Sequence, residues 1–177
     1  MIIVEGPDGA GKSSLIEKLS ITLSIPVHER ASDSVGGPVS NISVWAYNDV
    51  TAQPSKPLSI YDRHPLISEY VYGPIVRQHL SPDMLSPTMH LCIRMLARQA
   101  LVIFCRPPIE EIARNVAKAP QMSGVAEHIG RIISAYDALR MFWPGRSLLF
   151  DYTDPSSFTD ILTAARLHTA HWRRHND

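Results

Sequence analysis

The sequence predicts an α/β domain, a five-stranded parallel sheet with helices on both faces in three layers. Three observations predict it. Short apolar runs alternate with helix-forming stretches along the 177 residues, the pattern of parallel strands buried on both sides. The opening run Met1-Ile2-Ile3-Val4-Glu5 passes directly into Gly6-Pro7-Asp8-Gly9-Ala10-Gly11-Lys12-Ser13, a G-x-x-x-x-G-K-S loop between a strand and a helix. Leu101-Val102-Ile103-Phe104-Cys105 is a continuous apolar run, and Pro107 and Pro108 stand where the following helix begins.

The remaining elements follow in order. Leu15, Ile16, Leu19 and Leu23 make one apolar helix face, which Pro26 ends. Val27-His28-Glu29-Arg30 is short enough for an edge strand, and residues 31–41, rich in Ser, Gly and Asp, read as a loop. Leu58-Ser59-Ile60-Tyr61 is a strand leading to Asp62-Arg63. Residues 65–98 are mostly helical, with breaks expected at Gly73-Pro74, Ser81-Pro82 and Ser86-Pro87. Ile109, Ile112 and Val116 set the next helix. Val125, Ile129, Ile132, Ile133, Tyr136 and Leu139 repeat at steps of four and three and predict another. Ser147-Leu148-Leu149-Phe150 is the fifth strand, and residues 156–170 close the fold as a helix. No repeat or linker divides the chain, so residues 1–177 read as one domain.

Composition excludes several classes. Lys+Arg and Asp+Glu number 17 each, a balance that does not indicate a strongly basic nucleic-acid binder. Cys92 and Cys105 show neither metal-ligand spacing nor a disulfide framework, and the eight histidines lack ligand spacing. No apolar run reaches the length of a membrane span, and the first residues already form a core strand. A soluble protein of the cytoplasm without signal peptide or membrane partner is therefore expected. A homodimer stays open.

The glycine-rich loop carries the chemistry. Its backbone from Gly6 through Pro7 to Ser14 can wrap a polyphosphate, with the N–H groups of every residue but Pro7 free to point inward. Lys12 can reach the β- and γ-phosphates of ATP, and the Ser13 hydroxyl can ligate Mg²⁺. This is the P-loop NTPase pattern. The chain has no N-K-x-D, which a GTPase needs to read its base, and the third strand ends in Asp62-Arg63-His64.

With these residues in place, the opening from Glu5 to Ser13 resembles thymidylate kinases and their deoxynucleoside-kinase relatives. Glu29-Arg30 after strand two and Asp62-Arg63 after strand three fall where those families keep substrate-handling residues. Asp62, at a strand's carboxyl end, can support Mg²⁺ beside Ser13, and Arg63 can neutralise a transferring or acceptor phosphate. Glu29 is a candidate base for a hydroxyl proton, and Asp8, which the resemblance associates with acceptor handling, is the competing one. In the segment Glu69 to Arg77, Tyr70 or Tyr72 could stack on a base and Arg77 could meet a phosphate, with Glu69 beside them. The break at 118–124 occupies the place of the family's lid. It holds Lys118 and Gln121 but no arginine, so Arg114 would have to reach in from the preceding helix.

A thin lid and a spare carboxylate suit a neutral hydroxyl acceptor better than a charged monophosphate. The chain is also similar to bacteriophage kinases acting on the 5-hydroxymethyl group of hydroxymethyluracil within DNA. That resemblance implies ATP and Mg²⁺ as cofactors, a thymidine-like acceptor extruded from the stack, and the host cytoplasm as location. The alternatives are a thymidylate or deoxynucleoside monophosphate kinase and a nucleotide-binding protein without turnover. A basic stretch at 166–177, including Arg166, Arg173 and Arg174, could touch a DNA backbone.

Overall fold

A computed structural model describes residues 1–28, 30–31, 41–118 and 120–176, apart from the side chains of residues 54, 175 and 176. Five strands form one sheet: β1 (Ile2–Glu5), β2 (Val27–His28), β3 (Ile60–Asp62), β4 (Leu101–Cys105) and β5 (Arg146–Phe150). Their spatial order is β2-β3-β1-β4-β5, and every pairing is parallel. Ile2 lies opposite Ile60 on one side and Leu101 on the other, so β1 is central and hydrogen-bonded along both edges.

Period-two alternation sorts the strand side chains between two cores. Ile3, Tyr61, Val102 and Phe104 face helices α2 (Ile42–Ala52), α3 (Pro65–Ile75), α4 (Pro87–Gln99) and part of α6 (Ile129–Phe142). Ile2, Val4, Ile60, Leu101 and Ile103 face α1 (Lys12–Leu23), α5 (Ile109–Lys118) and α7 (Ser157–Asn176). The predicted three layers are present, and both cysteines are free and buried within them. No helix among the described residues is long and apolar enough to cross a membrane.

Several elements depart from the sequence reading. Residues 42–52, which that reading leaves unassigned, form α2. The helix after β3 runs through Gly73-Pro74 and ends at Ile75, because proline in a last turn sacrifices only one backbone bond. Val125 lies in turns that precede α6 rather than in the helix. The basic stretch from 166 continues α7 to Asn176. There His168 Nε2 lies 2.9 Å from the carbonyl of Met1, at the amino end of β1. The P-loop leaves the carboxyl end of the same strand, so this stretch occupies the opposite end of the sheet and does not flank the loop.

Candidate active site

The site forms where β1 and β3 deliver their carboxyl ends side by side. Gly6 leaves β1 at φ 140°, and a Cβ there would stand 2.6 Å from the carbonyl oxygen of Cys105 on β4. Gly11 caps α1 at φ 81°, and a Cβ there would meet the Tyr152 ring at 2.8 Å. The loop between them therefore fits its neighbours only as glycine at these points. Lys12 opens α1, and its ammonium donates to the carbonyl of Pro7 at 2.7 Å. Burial, followed by the nearby Arg63 cation, pushes the Lys12 pKa down to about 8.

Arg63 follows β3 in the left-handed conformation, φ 66°, which costs a non-glycine residue about 1 kcal/mol or more. It is 8% exposed and gathers the site around itself. Its Nη2 donates to Asp8 Oδ1 at 2.8 Å and to the Tyr72 hydroxyl at 2.8 Å, with Gly6 O at 3.3 Å. The Tyr72 hydroxyl in turn donates a hydrogen bond to Asp8 Oδ2 at 2.8 Å. Burial raises the Asp8 pKa, but Arg63, Lys12 and the Tyr72 bond outweigh it and hold the carboxyl below its ordinary value. Beneath them Glu5 is fully buried, accepting from the His64 N–H at 2.7 Å and the Tyr136 hydroxyl at 3.0 Å. Burial lifts its pKa to about 7 against those bonds and the Arg63 charge.

A cleft of about 330 Å³ opens over this network. Asp8, Gly9, Gly11, Lys12, Ser13, Ser14, Arg30, Asp62, Arg63 and Gln121 line it, and so does Asn115. Asp62 Oδ1 is buried and has no hydrogen-bond partner among the described residues. A buried carboxylate oxygen without a donor favours a cation, and the Ser13 hydroxyl lines the same cleft. These two groups fit a hard divalent ion such as Mg²⁺.

The structure brings together part of the expected set. Lys12, Ser13, Asp8, Asp62, Arg63, Arg30 and Gln121 share the cleft, with Tyr72 bonded to Asp8 at its base. Glu69 and Arg77 instead pair with each other, and the Tyr70 hydroxyl donates to the carbonyl of Met84. None of the three lines the cleft. Arg114 is turned outward into an ion pair with Glu111 at 3.0 Å, its side chain 57% exposed. Glu29 lies outside the described residues.

Four contributors were missed: Glu5, Tyr136, Asn115 and Tyr152. Asn115 donates to the Gly9 carbonyl and to the Tyr152 hydroxyl, 2.9 Å each, bridging the P-loop to the loop after β5. A signal for it existed. Ile112 and Val116 are the buried stripe of α5, and Asn115 stands three residues from Ile112 on that side. Arg114, two residues from Ile112, is rotated about 200° away.

No protein-family model and no curated protein matches the sequence. Solved structures do. The YorR protein of Bacillus subtilis, in complex with phosphorylated GDP, superposes with a TM-score of 0.67 at 19% identity, covering 96% of this chain and 98% of that one. Deoxyadenosine kinase from M. mycoides with dCMP and dCDP gives 0.59 at 15% identity, covering 93% and 98%. The same kinase with dATP gives 0.59 at 12% identity, covering 93% and 97%. These likenesses show the fold: a five-stranded parallel sheet with helices on both faces.

Proposed function

We propose that this protein is an ATP-dependent phosphotransferase moving the γ-phosphoryl group to a thymidine-like acceptor. The observation that carries the reading is the convergence of Lys12 and Ser13 from the P-loop with Asp62 and Arg63 from the β3–α3 turn in one cleft. In that reading the loop amides and Lys12 hold the ATP phosphates, and Arg63 balances charge that develops during transfer. Ser13 and Asp62 would hold Mg²⁺, which supplies charge neutralisation between the phosphates when bound. Asn115 and Tyr152 keep the loop in register for the donor.

The preferred acceptor is the 5-hydroxymethyl group of hydroxymethyluracil in DNA. The supporting observation is electrostatic. Arg30, Lys12 and Arg63 are the described cations lining the cleft, and Arg63 is already matched by Asp8. Arg114 is spent on Glu111. A neutral hydroxyl asks less of such a site than a second phosphate does. Because Asp8 is held ionised in a tight pair and accepts two bonds, it is a weak base, and Glu29 is the carboxylate we assign to the hydroxyl proton. A second reading, a dTMP kinase, draws support from one observation. Arg63 and Tyr72 both bond Asp8, the residue that the thymidylate-kinase resemblance associates with acceptor handling.

A γ-³²P-ATP transfer assay with Mg²⁺ decides between them, with hydroxymethyluracil duplex DNA, dTMP and thymidine offered in parallel. Label on the modified DNA is the expected result. Label on dTMP alone establishes the second reading, and no label on any acceptor overturns the phosphotransferase assignment.

A further inference from the structure

The β3–α3 turn carries Asp62 and Arg63, yet the residue that fixes its path is the next one. His64 is wholly buried and held at four points. Its N–H donates to Glu5 Oε1 at 2.7 Å. Its carbonyl accepts from Ile67 N at 2.8 Å and Ser68 N at 3.0 Å. Ring Nδ1 accepts from Leu66 N at 3.2 Å and so caps α3. Ring Nε2 lies 3.1 Å from Asp49 Oδ2. Since Nδ1 receives a backbone proton, the ring hydrogen belongs on Nε2, where it is donated to Asp49.

Asp49 comes from α2, is itself buried, and is held in turn. Lys56 Nζ approaches Oδ1 at 2.6 Å, the Tyr61 hydroxyl donates to it at 3.2 Å, and Gln53 Nε2 stands at 3.3 Å. The rings of Trp45 and Tyr61 lie 5.2 and 5.8 Å from the imidazole and close its sides. A serine, threonine or aspartate would cap α3 as well as a histidine does. What the histidine adds is a second nitrogen, and that nitrogen is spent on Asp49.

We propose that the buried Asp49–His64 pair is a positioning device for phosphoryl transfer, through which α2 holds the turn that presents Asp62 and Arg63 to the cleft. The proposal rests on the phosphotransferase reading above. Neither residue lines the cleft. Their action passes through the backbone: the hold on the His64 ring sets its N–H on Glu5 and keeps Arg63 left-handed. From there Arg63 Nη2 reaches Asp8. With the ring loose, Arg63 can relax to an ordinary conformation that carries its guanidinium away from Asp8.

Two measurements test the device. The first needs no turnover: long-range ¹H–¹⁵N spectra of the wild-type protein at neutral pH should show His64 as the Nε2–H tautomer. An Nδ1–H ring would overturn the proposal. The second is kinetic. Asp49→Asn keeps an acceptor oxygen for Nε2–H, whereas Asp49→Ala removes it. The expected result is a fall in kcat of about tenfold or more for Asp49→Ala, with the ATP KM within about twofold, and recovery to within about threefold in Asp49→Asn. An unchanged kcat in Asp49→Ala, or a loss that Asp49→Asn fails to recover, would overturn it. Should Asp49→Ala not fold, His64→Asn retains the α3 cap without reaching Asp49, and the same fall in kcat is expected. A wild-type protein without turnover on any acceptor sinks the phosphotransferase reading instead. The crystallographic φ of Arg63 in His64→Asn then decides the pair's hold on the turn, a retained left-handed Arg63 counting against it.

Discussion

The P-loop and the β3–α3 turn deliver charge to the same cleft from adjacent strands by opposite means. The P-loop uses glycine, with Gly6 and Gly11 at positive φ and pressed against Cys105 and Tyr152. The β3–α3 turn places an arginine at positive φ and holds it with side chains: Asp8, Tyr72 and, through His64, Glu5 and Asp49. One loop is shaped by what its residues lack and the other by what its neighbours supply. Strain in the second is tolerated because the surroundings over-determine it.

Substitutions at the two left-handed positions separate these means. Gly6→Ala should destabilise the fold by roughly 2–4 kcal/mol in denaturant unfolding, since the new Cβ meets backbone on β4 and the φ is strained. A wild-type midpoint would remove the claim that the loop depends on glycine. Arg63→Gly should act chiefly on chemistry: relief of the strained φ offsets part of what the lost Asp8 pair costs in stability, while transfer falls on the order of a hundredfold. Equal damage to both properties would erase the distinction between the turns.

Next in size is the pH dependence of stability through Glu5. The folded carboxyl keeps its proton to about pH 7, whereas the unfolded one titrates near 4.5. Its contribution to stability is therefore full below about pH 4.5 and is lost as pH rises to about 7. Between pH 5 and pH 8 the wild type should lose about 2 kcal/mol more than Glu5→Gln, measured by urea unfolding of both proteins. Parallel pH curves would contradict the buried-carboxylate account. The smallest effect belongs to Arg114. As half of an exposed ion pair, its change to Ala should move stability by less than about 0.5 kcal/mol and leave transfer near wild type. A large loss of rate would return Arg114 to the site.

The contrast between the two turns also explains what the sequence made legible. A loop that needs positive φ writes glycines into the chain at fixed spacing, so the P-loop, β1 and α1 could be read directly. The β3–α3 turn leaves no such mark: Asp62 and Arg63 are legible by their place after the third strand, but the groups that hold them come from residues remote in sequence. Residues 42–52 show why α2 went unread. Its buried positions are Ile42, Ala46, Asp49 and Val50, a helical stripe interrupted by a charge. That charge, Asp49, is the group bonded to His64. On α5 the choice of Arg114 followed residue type where helical phase pointed to Asn115. The Glu69-to-Arg77 segment suggested an acceptor pocket, but only Tyr72 turns toward Asp8 while Glu69 and Arg77 satisfy each other.

The most direct test of the shared cleft is single-turnover transfer from γ-³²P-ATP in wild type, Lys12→Ala and Asp62→Asn, each with ATP affinity measured separately. The account predicts labelled acceptor from the wild type and a loss of about a thousandfold in Lys12→Ala. For Asp62→Asn it predicts a comparable loss in which nucleotide still binds but Mg²⁺ no longer tightens it. Transfer at the wild-type rate in either variant would contradict it.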